Sequence, residues 1–207
     1  MPSLTAIKTE PTERQIQHIA CLHWLCRYDI PTLVPLDGVT GYAELATAAR
    51  VPVKTLKSVV RMAICNGFLS EQTPNAIGHS RLSAQFARNA ALRDWAMFLA
   101  DASAPMALKL TDATDKWGET TSKTETAFNI AMNSEVPFFD YLSQSKELTK
   151  RFAGYMKCVT ATQGTAIDHL LEGFDWAGLG EAKVVDVSPS CVCKSLHAVK
   201  ASRGVHF

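Results

Sequence analysis

The alternation of apolar and polar positions predicts a chain of helices with only short stretches of strand character. The first helical pattern covers residues 13–28 and begins one position after Thr12, a good helix-capping residue. The spacing of three or four positions that places residues on one helix face is followed by Ile16, Ile19, Ala20, His23, Trp24 and Arg27. A broad apolar stripe is made by Ile16, Ile19, Leu22, Leu25 and Cys26. Because the stripe is broad, we expect this helix to be buried on more than one side or to pack against a second chain.

A compact module follows between residues 42 and 83. Helical patterns at Tyr42–Ala46 and Pro52–Cys65 are joined by a turn. Gly67–Leu69 then predicts a strand and Arg81–Ser83 its returning partner, because the segment between them has turn composition. Two helices joined by a turn and followed by a two-stranded wing are typical of a winged-helix module.

Residues 84–117 have strong helical periodicity, with a predicted stop at Ser103–Pro105. Residues 118–126 form a polar loop, and short helices are predicted at 127–132 and 138–142, on either side of Pro137. A long helix is predicted from 146 to 171, capped by Ser145. The sequence therefore predicts a mainly helical protein.

The last part of the chain changes character. Val184–Val187 is an apolar run of strand type, and Ser188–Val192 follows it as a turn without glycine. An apolar strand followed by a turn and a helix is the first step of a nucleotide- or cofactor-binding βαβ unit.

Composition narrows the choice of partners and compartment. The net charge is +1 for 207 residues, so charge alone indicates neither a nucleic acid nor an anionic membrane as a partner. No apolar run approaches the roughly 20 residues of a membrane span. The six cysteines include no CxxC pair, so we expect no metal site. These features, with a polar N-terminus, favour a cytoplasmic protein.

Four stretches in a fixed order carry a resemblance to a known family. They are Leu56–Met62 with Asn66–Leu69, Gly78–Ser83, Thr126–Asn129 with Val136–Leu142, and Phe152–Met156 with Gly173–Trp176 and Gly180–Val187. In this order and spacing the chain resembles the fungal and plant caffeate-type O-methyltransferases, which depend on S-adenosylmethionine.

The resemblance implies a domain organisation. Residues 1–125 would form a winged-helix dimerisation domain, and residues 126–180 a helical connector that supplies a pocket wall. Residues 181–207 would be a truncated start of the Rossmann-like cofactor domain, with its first β-α-β unit. The chain would form a homodimer through its N-terminal helices and bind a small aromatic or polyketide ligand.

The resemblance also assigns candidate site residues. Those for the substrate-pocket wall are Phe128, Asn129, Met132, Phe138 and Phe139. Those for S-adenosylmethionine are Met156, Thr160, Asp186 and Ser188. No residue of the chain matches the catalytic histidine of the family, so no catalytic residue is assigned.

The turn after Val187 departs from the pattern of the family, which has glycines where this chain has Ser188, Pro189 and Val192. Ser188 adds a Cβ where the backbone should approach the cofactor. Pro189 lacks an N–H that could donate to it. Val192 is β-branched at a position of close helix packing. We therefore expect this chain to bind the cofactor weakly and methyl transfer to be impaired.

Three functions remain open from the sequence. The first is methyl transfer from S-adenosylmethionine to a hydroxyl of a polyketide or phenolic substrate in secondary metabolism. The second is a non-methylating dimerisation or small-molecule-binding protein that assists a cyclisation or a partner enzyme. The third is a winged-helix DNA-binding regulator, which would present Lys54, Lys57 and Arg61 on its recognition helix. The near-neutral charge favours the first two.

Overall fold

The computed structural model describes residues 10–160, 169 and 172–179, and in this part the chain is mainly helical with one small sheet. The first half contains α1 (Glu10–Arg27), α2 (Ile30–Leu33), β1 (Thr40–Gly41), α3 (Tyr42–Ala49), α4 (Val53–Cys65), β2 (Leu69–Thr73) and β3 (Ala76–His79). The second half contains α5 (Arg81–Arg88), α6 (Ala90–Phe98), α7 (Ala104–Leu108), α8 (Leu110–Trp117), α9 (Ala127–Met132), α10 (Phe138–Ser143) and α11 (Lys146–Val159).

The chain divides into two compact units, Met1–Tyr155 and Met156–Phe207. All the strands of the described residues, and the helices from α1 to α10, belong to the first unit. The described part of the second unit contains the end of α11 and a short 3-10 turn at Ala177–Leu179, where the Gly178 N–H donates to Asp175 Oδ1 at 3.1 Å.

The sheet is antiparallel, with the strand order β1-β3-β2. Leu69 pairs with His79 at one end of the hairpin. Asn75 closes its turn with φ of 64°, a left-handed conformation that asparagine tolerates better than most residues. The first strand therefore begins later, and the second ends earlier, than the sequence predicts, because most of the hairpin lies in residues 70–80, the segment predicted to be a turn.

The predicted strand at Arg81–Ser83 is wrong, because these residues open α5. The Ser83 N–H donates to Ser80 Oγ at 3.2 Å, and the Ser80 N–H donates to Ser83 Oγ at 2.9 Å. This reciprocal capping box satisfies two donors at the helix start. Because glutamate or glutamine usually closes such a box, the serine pair gave a weak signal in the sequence.

The predicted helix stop at Ser103–Pro105 is also wrong. α6 continues through a π-helical turn, Leu99–Ser103, directly into α7. Pro105 lies in the first turn of α7, directly after the π-helical turn. Asp101 of the π-helical turn accepts from Arg151 of α11 at 3.0 Å and lies 2.9 Å from His23 of α1. The irregular turn is thus held to two other helices.

The main core of the first unit joins α1 to α4 and to the sheet. Its fully buried side chains include Leu25, Leu45, Leu56, Phe68 and Ile77. Leu25 and Leu56 lie on the apolar faces predicted for α1 and α4, and both are buried there. The rest of the chain therefore covers the face of α1 that carries Leu25, whereas Ile16 is 61% exposed.

His79 links three elements at the edge of this core. Its Nε2 lies 3.1 Å from the Val34 carbonyl, which can only accept, so Nε2 carries the hydrogen. Its Nδ1 lies 2.9 Å from Ser83 Oγ. Burial lowers the pKa of His79, the nearby Arg88 lowers it further, and the hydrogen bond to Val34 opposes both. The ring is therefore neutral at pH 7, and Nδ1 accepts from the Ser83 hydroxyl.

This geometry predicts that acid destabilises the protein. Since the pKa of His79 is lower in the folded chain than its usual value of about 6.5, the unfolded chain binds the extra proton first. The free energy of unfolding should fall as pH falls below about 6.5, down to the lowered pKa. Urea unfolding between pH 7.5 and 5 measures this slope, and His79→Gln should reduce it.

His18 supplies the control for this pH dependence, because burial lowers its pKa as well. Its Nδ1 is buried with no hydrogen-bond partner among the described residues. His18→Gln should remove a separate part of the slope and leave the His79 part in place. An unchanged slope in His79→Gln would contradict the assignment of the neutral ring.

Candidate functional site

Aromatic side chains from four helices form a connected network in the second half of the first unit. Phe128 of α9 packs edge-on against Phe138 of α10, with ring centroids 5.2 Å apart. Phe138 in turn lies 5.4 Å from Phe152 of α11, which lies 5.3 Å from Phe98 of α6. Tyr155 continues the network at 4.9 Å from Phe98. We call these five residues, together with Phe139, the aromatic wall.

The wall combines buried and accessible rings. Phe98 and Phe128 are only 2% and 7% exposed, whereas Phe139 is 62% exposed. The Phe139 ring nevertheless keeps contact with Phe138 at 5.2 Å and with Phe152 at 6.2 Å. Such an arrangement offers an apolar ring face to a ligand from a rigid, well-packed support.

The local sequence explains how the wall is built. Thr126 caps α9 and orients Phe128 in its first turn. Asn133 ends α9 in a left-handed conformation with φ of 46°, and the chain then turns back. Pro137 precedes α10, so that Phe138 and Phe139 occupy its first two positions. The short helices at 127–132 and 138–142, on either side of Pro137, are therefore confirmed as sequence predictions.

The structure brings four of the five predicted pocket residues to one place. Phe128, Phe138 and Phe139 belong to the aromatic wall, and Met132 packs against the adjoining cluster of Phe98 and Leu142. Asn129, the fifth, is 5% exposed and faces the loop between α9 and α10. Its assignment to the pocket wall stays a prediction.

Sequence reasoning placed Phe98, Phe152 and Tyr155 in helices without assigning them to the pocket. Phe152 and Tyr155 are three residues apart on α11, so the helical spacing puts them on one face. Phe98 ends α6 just before the π-helical turn. Which rings meet across helices depends on tertiary packing, and no local pattern gives that.

A polar cleft lies beside the wall on the first unit. It has a volume of about 920 Å³ and is lined by residues of α8, α9, α10 and the loop after α9, among them Lys116, Trp117, Asn129, Asn133, Glu135, Tyr141 and Gln144. Tyr141 also packs against Phe128 at 5.3 Å, so one ring borders both the cleft and the aromatic wall.

Of the four predicted cofactor residues, only Met156 and Thr160 are described, and both belong to the second unit. The Thr160 hydroxyl donates to the Met156 carbonyl at 2.9 Å, so its hydrogen is already used. Its oxygen can still accept from a ligand N–H or O–H. Asp186 and Ser188 lie outside the described residues.

Of the basic residues of α4, Lys57 is engaged within its own module. Its Nζ donates to Asn75 Oδ1 at 3.2 Å and lies 5.3 Å from the centre of the Tyr42 ring. Burial raises the pKa of Tyr42, as does the neighbouring Glu71, while Arg61 opposes this shift. Lys57 thus joins the turn of the hairpin to α3 and α4.

The described residues add two observations on other kinds of site. Among them, no helix is both long and apolar enough to cross a membrane. They also contain no group of three or more histidine, cysteine or acidic side chains placed to bind a metal ion. Burial raises the pKa of the Cys26 thiol to about 12, with Asp29 adding to the shift and Arg93 opposing it.

Solved structures show which known proteins share this fold. Over 92% of this chain and 49% of the other, the fold matches OxaC in complex with S-adenosylhomocysteine and oxaline, with a TM-score of 0.68 and 18% identity. A chain described as a pericyclic reaction enzyme matches with a TM-score of 0.67 and 13% identity, over 98% of this chain and 55% of the other. The fold is also that of the dimethyltransferase RosA of Streptomyces davawensis, with a TM-score of 0.65 and 20% identity over 84% of this chain and 49% of the other.

Sequence relatives give the family. No model of a known protein family matches the chain. However, it is 56% identical to O-methyltransferase VdtC of Byssochlamys spectabilis over 174 residues, which are 84% of this chain and 40% of that protein. It is 47% identical to O-methyltransferase aurJ of Gibberella zeae over 173 residues, 83% of this chain and 39% of that one.

The chain belongs to this family of fungal O-methyltransferases, whose cofactor is S-adenosylmethionine. It spans about 40% of the length of VdtC and of aurJ.

Proposed function

We propose that the chain binds an aromatic polyketide or phenolic molecule against the aromatic wall and serves methyl transfer from S-adenosylmethionine to a hydroxyl of that molecule. The convergence of Phe128, Phe138, Phe139 and Phe152 into one network with an accessible ring carries this proposal. The similarity to VdtC and aurJ, both named O-methyltransferases, supports the reaction.

The proposal assigns different residues to the ligand and to the methyl donor. In this proposal the aromatic wall excludes water from one side of the ligand and orients its ring, which lowers the entropy cost of bringing a hydroxyl to the methyl donor. S-adenosylmethionine would supply an electrophilic methyl group when bound. Met156 and Thr160 are the described residues proposed to lie beside it, and Asp186 and Ser188 are proposed from the sequence.

The proposal that a ligand binds against the aromatic wall predicts a specific role for Phe139. Phe139→Ala should weaken binding of 7-hydroxycoumarin, a fluorescent phenolic probe, by about 2- to 10-fold, because one aromatic contact is worth about 0.5–1.5 kcal/mol. Fluorescence titration of the 207-residue chain measures the dissociation constant. Since Phe139 is 62% exposed, its loss should leave the fold intact.

Phe174→Ala is the matched control, since Phe174 is 51% exposed and belongs to the second unit. This variant should bind the probe as the unmodified chain does. Equal affinity of the Phe139 and Phe174 variants would remove Phe139 from the ligand site, and no binding by the unmodified chain would overturn the proposed pocket.

Calorimetric titration with S-adenosylmethionine and S-adenosylhomocysteine tests the cofactor part separately. The glycine-free turn at Ser188–Val192 leads us to expect weak binding. Binding at micromolar strength would show that this turn still forms a site and would make a methyltransferase assay worthwhile. Absence of heat, with probe binding retained, would leave a small-molecule-binding protein.

A non-methylating role in a cyclisation is the second candidate. It is favoured by one observation, the fold likeness to a chain described as a pericyclic reaction enzyme. Mass spectrometry of products distinguishes the two reactions, because methylation adds about 14 Da, whereas a cyclisation by bond rearrangement leaves the mass unchanged.

We also propose that the N-terminal helices and the hairpin form a winged-helix dimerisation domain. The exposed Ile16 on α1 and the helix pair α3–α4 followed by the β2–β3 hairpin support this arrangement. Light scattering of the purified chain checks the proposal, since a monomer at micromolar concentration would exclude a stable homodimer.

A further inference from the structure

Asn129 forms a clamp across the loop that connects α9 to α10. Its Nδ2 donates two hydrogen bonds, to the Ser134 carbonyl at 2.9 Å and to the Val136 carbonyl at 3.0 Å. Its Oδ1 accepts from the Thr126 hydroxyl at 2.6 Å. The Asn129 carbonyl also accepts from the Ser134 N–H at 3.0 Å. One buried side chain therefore connects the cap of α9 to two carbonyls of the loop.

These bonds use both donors of the Asn129 amide and one of its acceptor positions. With 5% of the residue exposed, little of the amide can reach a ligand. A buried donor that loses its partner costs free energy, because it cannot bind water instead. Separation of the loop carbonyls from the Asn129 amide is therefore unfavourable. Asn129 borders the polar cleft, but both hydrogens of its amide are directed to the loop carbonyls of Ser134 and Val136.

The clamp holds the loop residues that immediately precede Phe138 and Phe139 of the aromatic wall. Val136, whose carbonyl it binds, immediately precedes Pro137, and Phe138 and Phe139 follow as the first residues of α10. A shift of the Val136 carbonyl would thus be passed directly to both rings. On the other side, Phe128 lies next to Asn129 on α9 and contacts Phe138 at 5.2 Å.

We infer that Asn129 is a positioning residue of the ligand site, which sets the orientation of Phe138 and Phe139 through the Ser134–Val136 loop without touching the ligand. This inference rests on the proposed function for its ligand, but the clamp itself is testable without one. It assigns Asn129 a role different from that of the wall residues around it.

Asn129→Asp is the sharpest variant, because it keeps the size of the side chain and the acceptor for Thr126. It replaces the two donors with a carboxylate oxygen that faces the carbonyls of Ser134 and Val136, which repel it. Asn133→Asp is the matched control. It makes the same change four residues later, at an exposed position in a left-handed conformation that aspartate also tolerates.

Two probes separate positioning from direct contact. At a temperature where urea titration shows both variants to be folded, Asn129→Asp should raise the dissociation constants of 7-hydroxycoumarin and of coumarin, which lacks the hydroxyl, by a similar factor of about 10. Asn133→Asp should stay within about 2-fold of the unmodified chain. Selective loss of the hydroxylated probe would mean that Asn129 binds the ligand directly, and unchanged affinity for both would remove its role.

Hydrogen exchange of the segment 134–143 decides the question even if the unmodified chain binds neither probe. In that case the proposed ligand pocket fails. Faster exchange of this segment in Asn129→Asp than in Asn133→Asp would still uphold the clamp. Equal exchange in the two variants would overturn the inference, whatever the binding data show.

Discussion

Phe68→Ala is expected to lower the free energy of unfolding by about 3–5 kcal/mol, the usual cost of removing a buried aromatic ring. Phe68 is fully buried at the start of the hairpin. Its ring packs edge-on against Phe86 of α5 with centroids 4.9 Å apart, and against His18 of α1 at 6.5 Å. The alanine variant would leave a cavity at the junction of three elements. Since whole domains are stable by only about 5–15 kcal/mol, this loss threatens folding.

Urea unfolding followed by circular dichroism measures the effect, and two further variants make the result informative. Phe68→Leu keeps most of the buried volume and should cost less than the alanine variant, so it remains measurable if Phe68→Ala does not fold. Phe139→Ala removes the same ring at a position that is 62% exposed and should change stability by about 0.5 kcal/mol or less. A similar loss in the two alanine variants would contradict the core assigned to Phe68.

The backbone around Phe68 explains why the sequence predicted its neighbourhood only in part. The prediction of a strand near Leu69 was sound, because an apolar pair follows Gly67, whose φ of 71° ends the preceding helical segment. The strand partner was misplaced at Arg81–Ser83. The Ser80 hydroxyl both caps α5 and donates to the Phe68 carbonyl at 2.7 Å, a tertiary contact without a local signature.

The candidate site shows the same division between local and tertiary information. Thr126 and Pro137 mark the starts of α9 and α10, so the positions of Phe128 and Phe138 along the chain were predictable. The bonds from the Asn129 amide to Ser134 and Val136 follow from how the loop closes, which composition does not determine. Family resemblance named Asn129 as part of the site, whereas its hydrogen bonds indicate how it would act there.

Gly154 is a second position whose role could not be predicted from the local sequence. It lies inside α11, where glycine is unfavourable by about 1 kcal/mol relative to alanine. The structure supplies the reason for it: a Cβ built on Gly154 would lie 2.5 Å from the Cβ of Asp94 on α6. Because real Cβ contacts are essentially never this short, α11 can approach α6 at this point only with glycine.

Gly154→Ala should therefore destabilise the protein by about 1–3 kcal/mol, as overpacking usually does, although alanine favours the helix itself. Asp94→Gly removes the opposing Cβ, and in that background Gly154→Ala should be neutral or stabilising by up to about 1 kcal/mol. Asp94→Asn keeps the Cβ and serves as the control, in which the clash persists. Urea unfolding of this double-mutant cycle measures the coupling. An equal cost of Gly154→Ala in the Asp94→Gly and Asp94→Asn backgrounds would show that the contact between the two Cβ positions does not set the distance between α6 and α11.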